Sequence, residues 1–387
     1  MLQPVHMGLA DGKWKAHCAA PRGRRQGGAW GVAGKQGVRM RGIGSAVGVA
    51  VWLALSGSGG AQTAPEAIVR ALASDPAIPA AVAGRVNAEA LDYAVAGERV
   101  RDGDAVQPGD AWHVGSLTKS MTAVLAARLV EAGLIGWDAT IGAVLGPRYP
   151  DMLPEWRDVP LHLLLTHGAG MRPNAEAVTG DWPRADYVAA ALQEPPVEAR
   201  GGFVYSNAGY VVAGAMLEAA GGAPWERLMA AQVFGPLGLG SAGFGPPLGA
   251  AIEGHERRLF RGLRPVGQGP VADNIAALGP AGRVHLGAED MLRYLRAHLE
   301  RDPDFLAAET WARLHRPSGP EDYAMGWGVG PEGSLVHSGS NTFWYAVAYL
   351  DVANGEAVFV AVNSGDPGAV ARPVDAALRE LLTVPPG

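Results

Sequence analysis

A serine and a lysine that could act together in catalysis stand three residues apart, in the segment Ser116-Leu117-Thr118-Lys119. A serine hydroxyl is a poor nucleophile until a base removes its proton. Lys119 is the only lysine after Lys35, although residues 62–387 contain 23 arginines. A guanidinium keeps its proton in a protein, whereas a desolvated ammonium can lose it near neutral pH. The retained lysine therefore predicts a base for Ser116, although an arginine-rich composition can also leave one lysine by chance.

The residues after Ser116 predict a buried helix that would hold both side chains. Apolar residues recur there with helical spacing as far as Gly133: Leu117, Met121, Val124, Leu125 and Leu129. Positions three apart share one side of a helix, so the hydroxyl and the amine would project together. The helix dipole and a dry environment would lower the pKa of Lys119, and free first-turn amides could stabilise an oxyanion. Taken alone, Ser-x-x-Lys is also typical of a helix cap followed by a surface lysine.

Two more motifs could complete such a site. Tyr205-Ser206-Asn207 directly precedes an apolar stretch at 210–220 that predicts a second helix, so a phenol and an amide could face the same cleft. His337-Ser338-Gly339-Ser340 lies in a predicted C-terminal strand, where Gly339 would allow close approach and the Ser340 amide could donate to an oxyanion. Each motif alone is equally typical of ordinary packing, a buried tyrosine with a capping asparagine in one case and a plain strand in the other.

In this order and spacing, the three motifs resemble those of the serine β-lactamase, DD-peptidase and esterase superfamily, particularly its class C-like branch. Further stretches are similar to that branch in the same order: Leu163–Met171, Pro236–Leu239, Pro280–Gly282 and Met325–Gly328. The similarity runs from about Ala80 to Asn363. It implies a β-lactamase/transpeptidase-like fold and an acyl-enzyme mechanism that uses no cofactor.

The resemblance also implies a role for each matching residue. Ser116 would attack a carbonyl while Lys119 and Tyr205 share proton removal and delivery, with Tyr205 as the base for deacylation. The backbone N–H groups of Ser116 and Ser340 would stabilise the tetrahedral oxyanion. Asn207 would orient Lys119 and bind a substrate amide.

The third motif departs from true β-lactamases, which commonly have a lysine where this chain has His337. Histidine there resembles certain DD-carboxypeptidases and related esterases, which favours an esterase or a peptidase-like hydrolase over an efficient β-lactamase. His337 would either assist the Tyr205 network or help to bind a substrate carboxylate, and the sequence leaves both open. His167 is followed by Gly168-Ala169-Gly170 instead of a more usual Thr-Ser-Gly, and its loop is expected to be structural. Three aromatic residues would wall the pocket or simply pack in the core: Trp182, Phe343 and Trp344.

Strand patterns at both ends of the chain, with helical patterns between them, indicate an α/β (α+β) protein in which helices flank an antiparallel sheet. The sheet part would comprise about residues 75–130 and 283–387, beside a mostly helical part at about 131–282. Strands are expected within Ala80–Arg101, around turn-like Gly84 and Gly97, and at 335–338, 344–351 and 357–363. Helices are expected at 64–73, from Ser116, at 210–220, 290–299 and 369–382, and loops over 235–282.

The first 61 residues differ in charge from the rest. Their eight basic residues against Asp11 give +7, so the total of −6 leaves −13 for residues 62–387. Arg39 and Arg41 precede a short apolar run, 43–55, and small residues up to Ala61, which predicts a secretory signal peptide and a periplasmic or secreted domain, 62–387. An uncleaved anchor is the alternative, and Met40 is a candidate natural start. The single cysteine, Cys18, precedes the cleavage site, so no disulfide is expected in the mature domain.

The acidic mature domain would repel nucleic acid and anionic lipid, so neither is expected as a partner, nor is a stable membrane anchor after cleavage. Neither a Gly-x-Ser-x-Gly elbow nor a His-Glu-x-x-His motif occurs, which disfavours an α/β-hydrolase and a metal hydrolase. The expected function is an exported serine hydrolase of small-molecule, peptide or ester substrates, carboxylesterase-like or DD-carboxypeptidase-like, with weak β-lactamase activity as a further option. The competing interpretation is a catalytically silent penicillin-binding-type sensor or scaffold that binds peptidoglycan fragments.

Overall fold

A computed structural model of the protein describes residues 6–10, 13–17, 63–177, 180–249, 251–258, 260–318 and 321–383. The strands are β1 (His6–Ala10), β2 (Lys13–His17), β3 (Ala80–Val86), β4 (Leu91–Gly97), β5 (Ala111–His113), β6 (Gly243–Phe244), β7 (His255–Arg258), β8 (Gly262–Pro265), β9 (Val284–Gly287), β10 (Gly328–Val329), β11 (Leu335–Ser340), β12 (Tyr345–Asp351) and β13 (Glu356–Val362). The α-helices are α1 (Ala64–Ala73), α2 (Thr118–Glu131), α3 (Ile141–Leu145), α4 (Pro154–Arg157), α5 (Leu161–Leu165), α6 (Arg184–Gln193), α7 (Asn207–Gly221), α8 (Trp225–Met229), α9 (Gly279–Gly282), α10 (Ala288–Glu300), α11 (Ala308–His315) and α12 (Pro367–Thr383). The predicted signal peptide, Met40 and Cys18 lie outside the described residues.

The main sheet has six antiparallel strands in the order β10-β11-β12-β13-β3-β4. Strand β13, near the C-terminus, pairs directly with β3, near the start of the domain. The sheet is therefore assembled from both chain ends, and the predicted fold class is confirmed. Where the sheet part ends and the helical part begins stays a prediction.

Helices cover both faces of this sheet. Helices α1 and α12 pack on one face, where Val358, Val360 and Val362 point toward them. The alternate residues Ala357, Phe359 and Ala361 belong to the larger core on the other face, which contains α2 and α10. Successive side chains of a strand point to opposite faces, so a strand covered on both sides is apolar almost throughout.

Helix α2 lies at the centre of the larger core, and eleven of its fourteen residues are buried. It contacts α7 and α9, which belong to the stretch between α2 and β9, residues 132–283, called the helical insert below. A small sheet in the order β5-β9-β6 borders the insert, and β5 leads directly into the turn before α2. The predicted burial of this helix is confirmed, and its N-terminal end meets both the insert and the main sheet.

The structure corrects three local predictions. Gly84 lies in the middle of β3, where a Cβ would come within 2.7 Å of Tyr93 Cβ on β4 and 2.8 Å of Leu292 Cδ1 on α10, so the glycine makes room for these two side chains instead of forming a turn. Helix α7 begins at Asn207 instead of Tyr210, because the Ser206 hydroxyl accepts a hydrogen bond from the Gly209 amide at 2.8 Å and caps it. The region 235–282 contains β6, the β7–β8 hairpin and α9 as well as loops.

Neither a membrane-crossing helix nor a metal-binding cluster occurs within the described part of the chain. No described helix combines the length and the apolar character that crossing a bilayer requires. The described histidine, aspartate and glutamate side chains form no group of three that could hold a metal ion.

Candidate active site

The site is built around a tight turn, residues 115–117, that leads into α2. Gly115 adopts a positive φ of 52°, and a Cβ at this position would come within 2.4 Å of the Ser340 amide nitrogen. Only glycine fits both the conformation and the contact. The turn leaves the Ser116 side chain partly accessible, whereas Lys119 in the next turn is completely buried.

The Lys119 amine has three polar neighbours. Its Nζ lies 3.1 Å from Ser116 Oγ, 2.8 Å from Asn207 Oδ1 and 2.7 Å from the Ala281 carbonyl oxygen. Burial lowers the pKa of Lys119 well below its usual value, which favours the neutral amine. A neutral amine has two hydrogens and one lone pair. The two carbonyl oxygens can each accept one hydrogen, which leaves the lone pair to accept the hydroxyl proton of Ser116.

Tyr205 lies against the same two groups. The Lys119 Nζ is 4.8 Å from the centre of the tyrosine ring, and the phenol is hydrogen-bonded to Ser116. Burial raises the pKa of Tyr205, and the hydrogen bond to Ser116 only partly opposes this effect. The phenol is therefore protonated in the resting site, ready to donate its proton.

Asn207 is the first residue of α7, so the cap described above also places its amide. The Asn207 Nδ2 donates to Asn174 Oδ1 at 3.1 Å, which turns Oδ1 toward Lys119. The insert thus holds the amide in one orientation. Of the predicted site residues, Ser116, Lys119, Tyr205 and Asn207 lie together.

Strand β11 brings the third motif to the same turn. A Cβ on Gly339 would lie 2.0 Å from the Val114 carbonyl oxygen and 2.7 Å from the Ser116 nitrogen, so the two backbones are in contact. β10 pairs with Leu335 and Val336 only at the start of β11, and the later residues of the strand meet the turn. This contact places the Ser116 and Ser340 amides beside each other, with Ser338 on the same partly accessible strand end.

His337 faces the aromatic side of the site. Its Nε2 lies 3.1 Å from the Tyr323 hydroxyl, and its Nδ1 lies 2.7 Å from the Ser338 carbonyl oxygen. Tyr323 is in turn hydrogen-bonded to Tyr210, whose hydroxyl donates to the Leu165 carbonyl at 2.6 Å. These contacts connect His337 with Tyr323 and Tyr210, and its role, toward the Tyr205 network or toward a substrate carboxylate, stays a prediction.

His167 supports Tyr205 from the next layer. The residue is buried with a positive φ of 61°, and its Nδ1 accepts a hydrogen bond from the Ser206 amide at 3.0 Å. Its carbonyl accepts from the Val204 amide at 2.9 Å, and its ring lies 4.3 Å from the ring of Tyr205. These contacts hold the segment that contains Tyr205, in agreement with a structural role.

The three aromatic residues that the sequence suggests as pocket walls do not have the same surroundings in the structure. Trp344 is buried and packs edge-on against Trp112 with ring centres 6.2 Å apart, so it belongs to the core. Phe343 is partly buried beside it. Trp182 lines a cavity of about 500 Å³ along α6, together with Asp186 and Gln193.

Sequence reasoning assigned no role to Ala281, whose carbonyl holds the Lys119 amine. Its contact uses a backbone atom, so the identity of the side chain carries no chemical signal. The only indication in the sequence is the position of Pro280-Ala281-Gly282 in the ordered set of similar stretches. Helix α9, which contains these residues, packs against α2 and α7.

A protein-family model described as Beta-lactamase matches residues 65–383. The chain belongs to the beta-lactamase family. This family match covers every residue of the site described above.

The curated relatives that match this beta-lactamase family member have names that describe different functions. Penicillin-binding protein 4 of Amycolatopsis lactamdurans is 29% identical over 207 residues, which are 51% of this chain and 53% of the relative. The D-alanyl-D-alanine-carboxypeptidase/endopeptidase AmpH of Escherichia coli (strain K12) is 26% identical over 218 residues, 52% of this chain and 53% of the relative. The chain thus matches about half the length of these curated relatives.

Solved structures support the fold. The crystal structure of a class C beta lactamase from Rhodobacter sphaeroides superposes with a TM-score of 0.67 at 20% identity, covering 83% of this chain and 99% of that chain. At this identity the likeness concerns the fold alone, which is that of the β-lactamase and penicillin-binding type.

Proposed function

We propose that the protein is a serine hydrolase that cleaves an ester or an amide through an acyl-enzyme on Ser116. The observation that supports this most is the arrangement around Lys119: a buried, neutral amine 3.1 Å from the Ser116 hydroxyl, with its other two polar neighbours both carbonyl oxygens. This arrangement leaves one lone pair, and it faces the nucleophile. The partly accessible serine is where a substrate carbonyl can reach.

In acylation, the Ser116 oxygen attacks the carbonyl carbon and its proton passes to the Lys119 lone pair. The carbonyl electrons move onto the oxygen, and the Ser116 and Ser340 amides stabilise that oxyanion. When the intermediate collapses, the bond to the leaving group breaks and the leaving group takes a proton from Tyr205. The proton held by Lys119 then restores the phenol, and the acyl group remains on Ser116.

In deacylation, water attacks the ester carbonyl and Tyr205 removes the proton from that water. Because burial raises its pKa, the Tyr205 phenol is protonated, so it takes the water proton only while it passes its own proton to the Lys119 lone pair. When the intermediate collapses, the bond to the Ser116 oxygen breaks, this oxygen takes the proton held by Lys119, and the product acid is released. His337, through Tyr323, keeps the surrounding tyrosine network hydrogen-bonded.

The proposed substrate class is an ester or a D-amino-acid peptide of small size, carboxylesterase-like or DD-carboxypeptidase-like, in preference to a β-lactam. The histidine at position 337 and the relationship to a D-alanyl-D-alanine-carboxypeptidase/endopeptidase support this choice. No cofactor is proposed. Neither a nucleic acid nor a membrane is proposed as a partner, because residues 62–387 have a net charge of −13, which is the total of −6 minus the +7 of residues 1–61.

We also propose that the protein is exported and cleaved after Ala61. The basic residues, short apolar run and small residues of 39–61 support this. N-terminal sequencing of the protein isolated from its natural host is expected to begin at Gln62. A product that retains residues 40–61 would contradict cleavage.

The catalytic proposal is tested by covalent labelling. Purified protein is treated with a fluorophosphonate or a fluorescent penicillin, the adduct is located by mass spectrometry, and ester and β-lactam turnover are measured beside Ser116→Ala. Labelling at Ser116 with fast ester turnover supports an esterase, and durable penicillin labelling supports a DD-peptidase-like enzyme. An adduct elsewhere, or no adduct with any probe, would contradict the proposal and favour a silent sensor.

A further inference from the structure

A buried carboxylate, Asp273, connects three chain segments that surround Ser116. Its side chain has no exposed surface. Oδ1 lies 3.0 Å from His113 Nε2 and accepts a hydrogen bond from Asn341 Nδ2 at 2.9 Å. Oδ2 accepts from Arg283 Nε at 3.2 Å. Buried charges are expensive unless they are paired and hydrogen-bonded, and this one has partners from three different elements.

The first segment is the turn that contains Ser116. His113 ends β5, is completely buried, and its Nδ1 accepts a hydrogen bond from the Gly115 amide at 3.2 Å. A backbone amide can only donate, so Nδ1 is the acceptor of this hydrogen bond, and the other ring nitrogen, Nε2, faces the Asp273 carboxylate at 3.0 Å. The imidazole thus connects the Asp273 carboxylate to Gly115, the residue directly before Ser116.

The second segment is the corner after β11. Asn341 directly follows Ser340, and its Oδ1 accepts from the Phe343 amide at 3.1 Å while its Nδ2 binds Asp273. The same carboxylate oxygen therefore holds His113 and Asn341, one on each side of the contact between the turn and β11.

The third segment is the stretch that supports the base. Arg283 binds Asp273 two residues after Ala281, whose carbonyl holds the Lys119 amine. Asn274, next to Asp273, donates from its Nδ2 to the Gly282 carbonyl at 3.0 Å. The loop with Asp273 thereby fixes the acceptor of Lys119 as well as the two amide-bearing segments.

We propose that His113 and Asp273 are positioning residues that hold the Ser116 and Ser340 amides in register for one oxyanion, an inference that rests on the proposed acylation of Ser116. Oxyanion donors act only when both lie about 2.7–3.1 Å from the oxygen that develops charge. The two amides belong to segments that are far apart in the sequence. Asp273 contacts His113 before the first amide and Asn341 after the second, and these two contacts set the distance between the amides. Neither residue touches the reacting atoms.

The charge state of Asp273 suits this fixed role. Burial alone would raise the pKa of Asp273, but His113, Asn341 and Arg283 together hold it below its usual value. A lowered pKa favours the ionised carboxylate, which is the form that can accept hydrogen bonds from these neighbours through both of its oxygens.

Substitutions at His113 can separate its two contacts, the hydrogen bond from the Gly115 amide and the contact with Asp273. His113→Gln retains a donor near the position of Nε2 but loses the acceptor for the Gly115 amide. His113→Asn retains an acceptor near Nδ1 but does not reach Asp273, and His113→Phe removes both at similar volume. His285→Gln is the matched control, because His285 is the cross-strand partner of His113 but its Nδ1 contacts the Gly245 carbonyl at 2.8 Å instead of the Gly115 amide.

The experiment measures ester turnover per active site, with sites counted by fluorophosphonate titration, and the affinity for phenylboronic acid, which becomes tetrahedral on bonding to Ser116. We expect His113→Phe and Asp273→Ala to lower kcat per site about 10- to 100-fold, with KM within about twofold, less than the loss of a whole oxyanion donor. Boronate affinity should fall by a similar factor. Intermediate values of kcat per site and of boronate affinity, between those of these variants and the wild type, are expected for His113→Gln, His113→Asn and Asp273→Asn.

Unchanged kcat per site in both His113→Phe and His113→Gln would overturn the positioning role, and so would an equal loss in His285→Gln. A loss of titratable sites with normal kcat per remaining site would also overturn it, because that pattern indicates misfolding alone. Should His113→Phe fail to fold, His113→Gln decides the result. If wild-type Ser116 takes up no probe, the proposed function fails and the positioning role fails with it.

Discussion

Among the described residues, burial lowers the pKa of basic side chains both in the reactive cluster around Lys119 and in a histidine pair, and of these two clusters the first alone is placed for chemistry. The Lys119 amine lies beside Ser116, whose side chain is partly accessible. His298 and His315 form the other cluster: their ring nitrogens are 2.8 Å apart, and His298 packs edge-on against Trp311 and Trp327.

Burial lowers the pKa in both clusters. It depresses that of Lys119 well below its usual value, and it lowers that of His315 to about 3, with a smaller contribution from Arg301. A depressed pKa is therefore no sign of catalysis by itself. The difference is that the Lys119 lone pair faces a hydroxyl that a substrate can reach, whereas the histidines face each other and the core.

The largest effect expected from this comparison is that of Lys119→Arg. Arginine stays charged and cannot accept a proton, so we expect the rate of fluorophosphonate labelling at Ser116 to fall about 10²- to 10⁴-fold, as for loss of a general base. Arg293→Lys, the reverse exchange at a half-exposed position on α10, serves as the matched control and should label normally. Normal labelling of Lys119→Arg would remove Lys119 from the mechanism.

A second substitution disturbs the geometry of the reactive cluster without changing its titrating groups. The Cβ of Gly339→Ala would lie 2.0 Å from the Val114 carbonyl oxygen, so strand β11 must move away from the Ser116 turn. We expect kcat for ester hydrolysis to fall about 100-fold, comparable to the loss of one oxyanion donor. Gly109→Ala, which has open space for a Cβ, should retain full turnover. Equal activities of the two variants would show that the close contact does not matter for catalysis.

The histidine cluster should affect stability and leave the rate unchanged. Because the pKa of His315 falls from 6.5 to about 3 on folding, the unfolded chain binds more protons between these values, and stability is lost as the pH falls from 6.5 toward 3. Each such group contributes a slope of up to about 1.4 kcal/mol per pH unit in this window.

Denaturant unfolding at several pH values checks this prediction. The double variant His298→Leu/His315→Leu should lose part of the acid sensitivity, while its kcat per titrated site at pH 7.5 stays within about twofold of the wild type. The same acid sensitivity in both proteins, or a large loss of kcat in the variant, would contradict the separation of the two clusters.

The sequence predicts the reactive cluster well because its motifs are local. Ser116 and Lys119 occur within one helical turn, and Tyr205 and Asn207 occur on either side of a helix cap, so spacing alone indicates which side chains share a face. The six-stranded sheet is also predictable in kind, since β3 and β13 are almost entirely apolar.

The remaining features depend on contacts between distant residues. His113 and Asp273 are separated by 160 positions, and each is unremarkable in its own segment, a short strand and a loop. The Ala281 carbonyl has no signature because every residue has one. Gly84 resembles a turn glycine until Leu292 of α10 is seen beside it. Such features follow from packing, which spacing along the chain does not encode.

The central claim is that Lys119 is neutral beside Ser116, and direct titration of this one amine tests it. The chain contains four lysines, so a protein labelled with ¹³C at the lysine ε carbons has few signals, and the signal absent from Lys119→Arg belongs to Lys119. We predict that this signal titrates well below the ordinary value of 10.5. Titration of Lys119 near 10.5 would mean a charged ammonium at neutral pH and would contradict the proposed activation of Ser116.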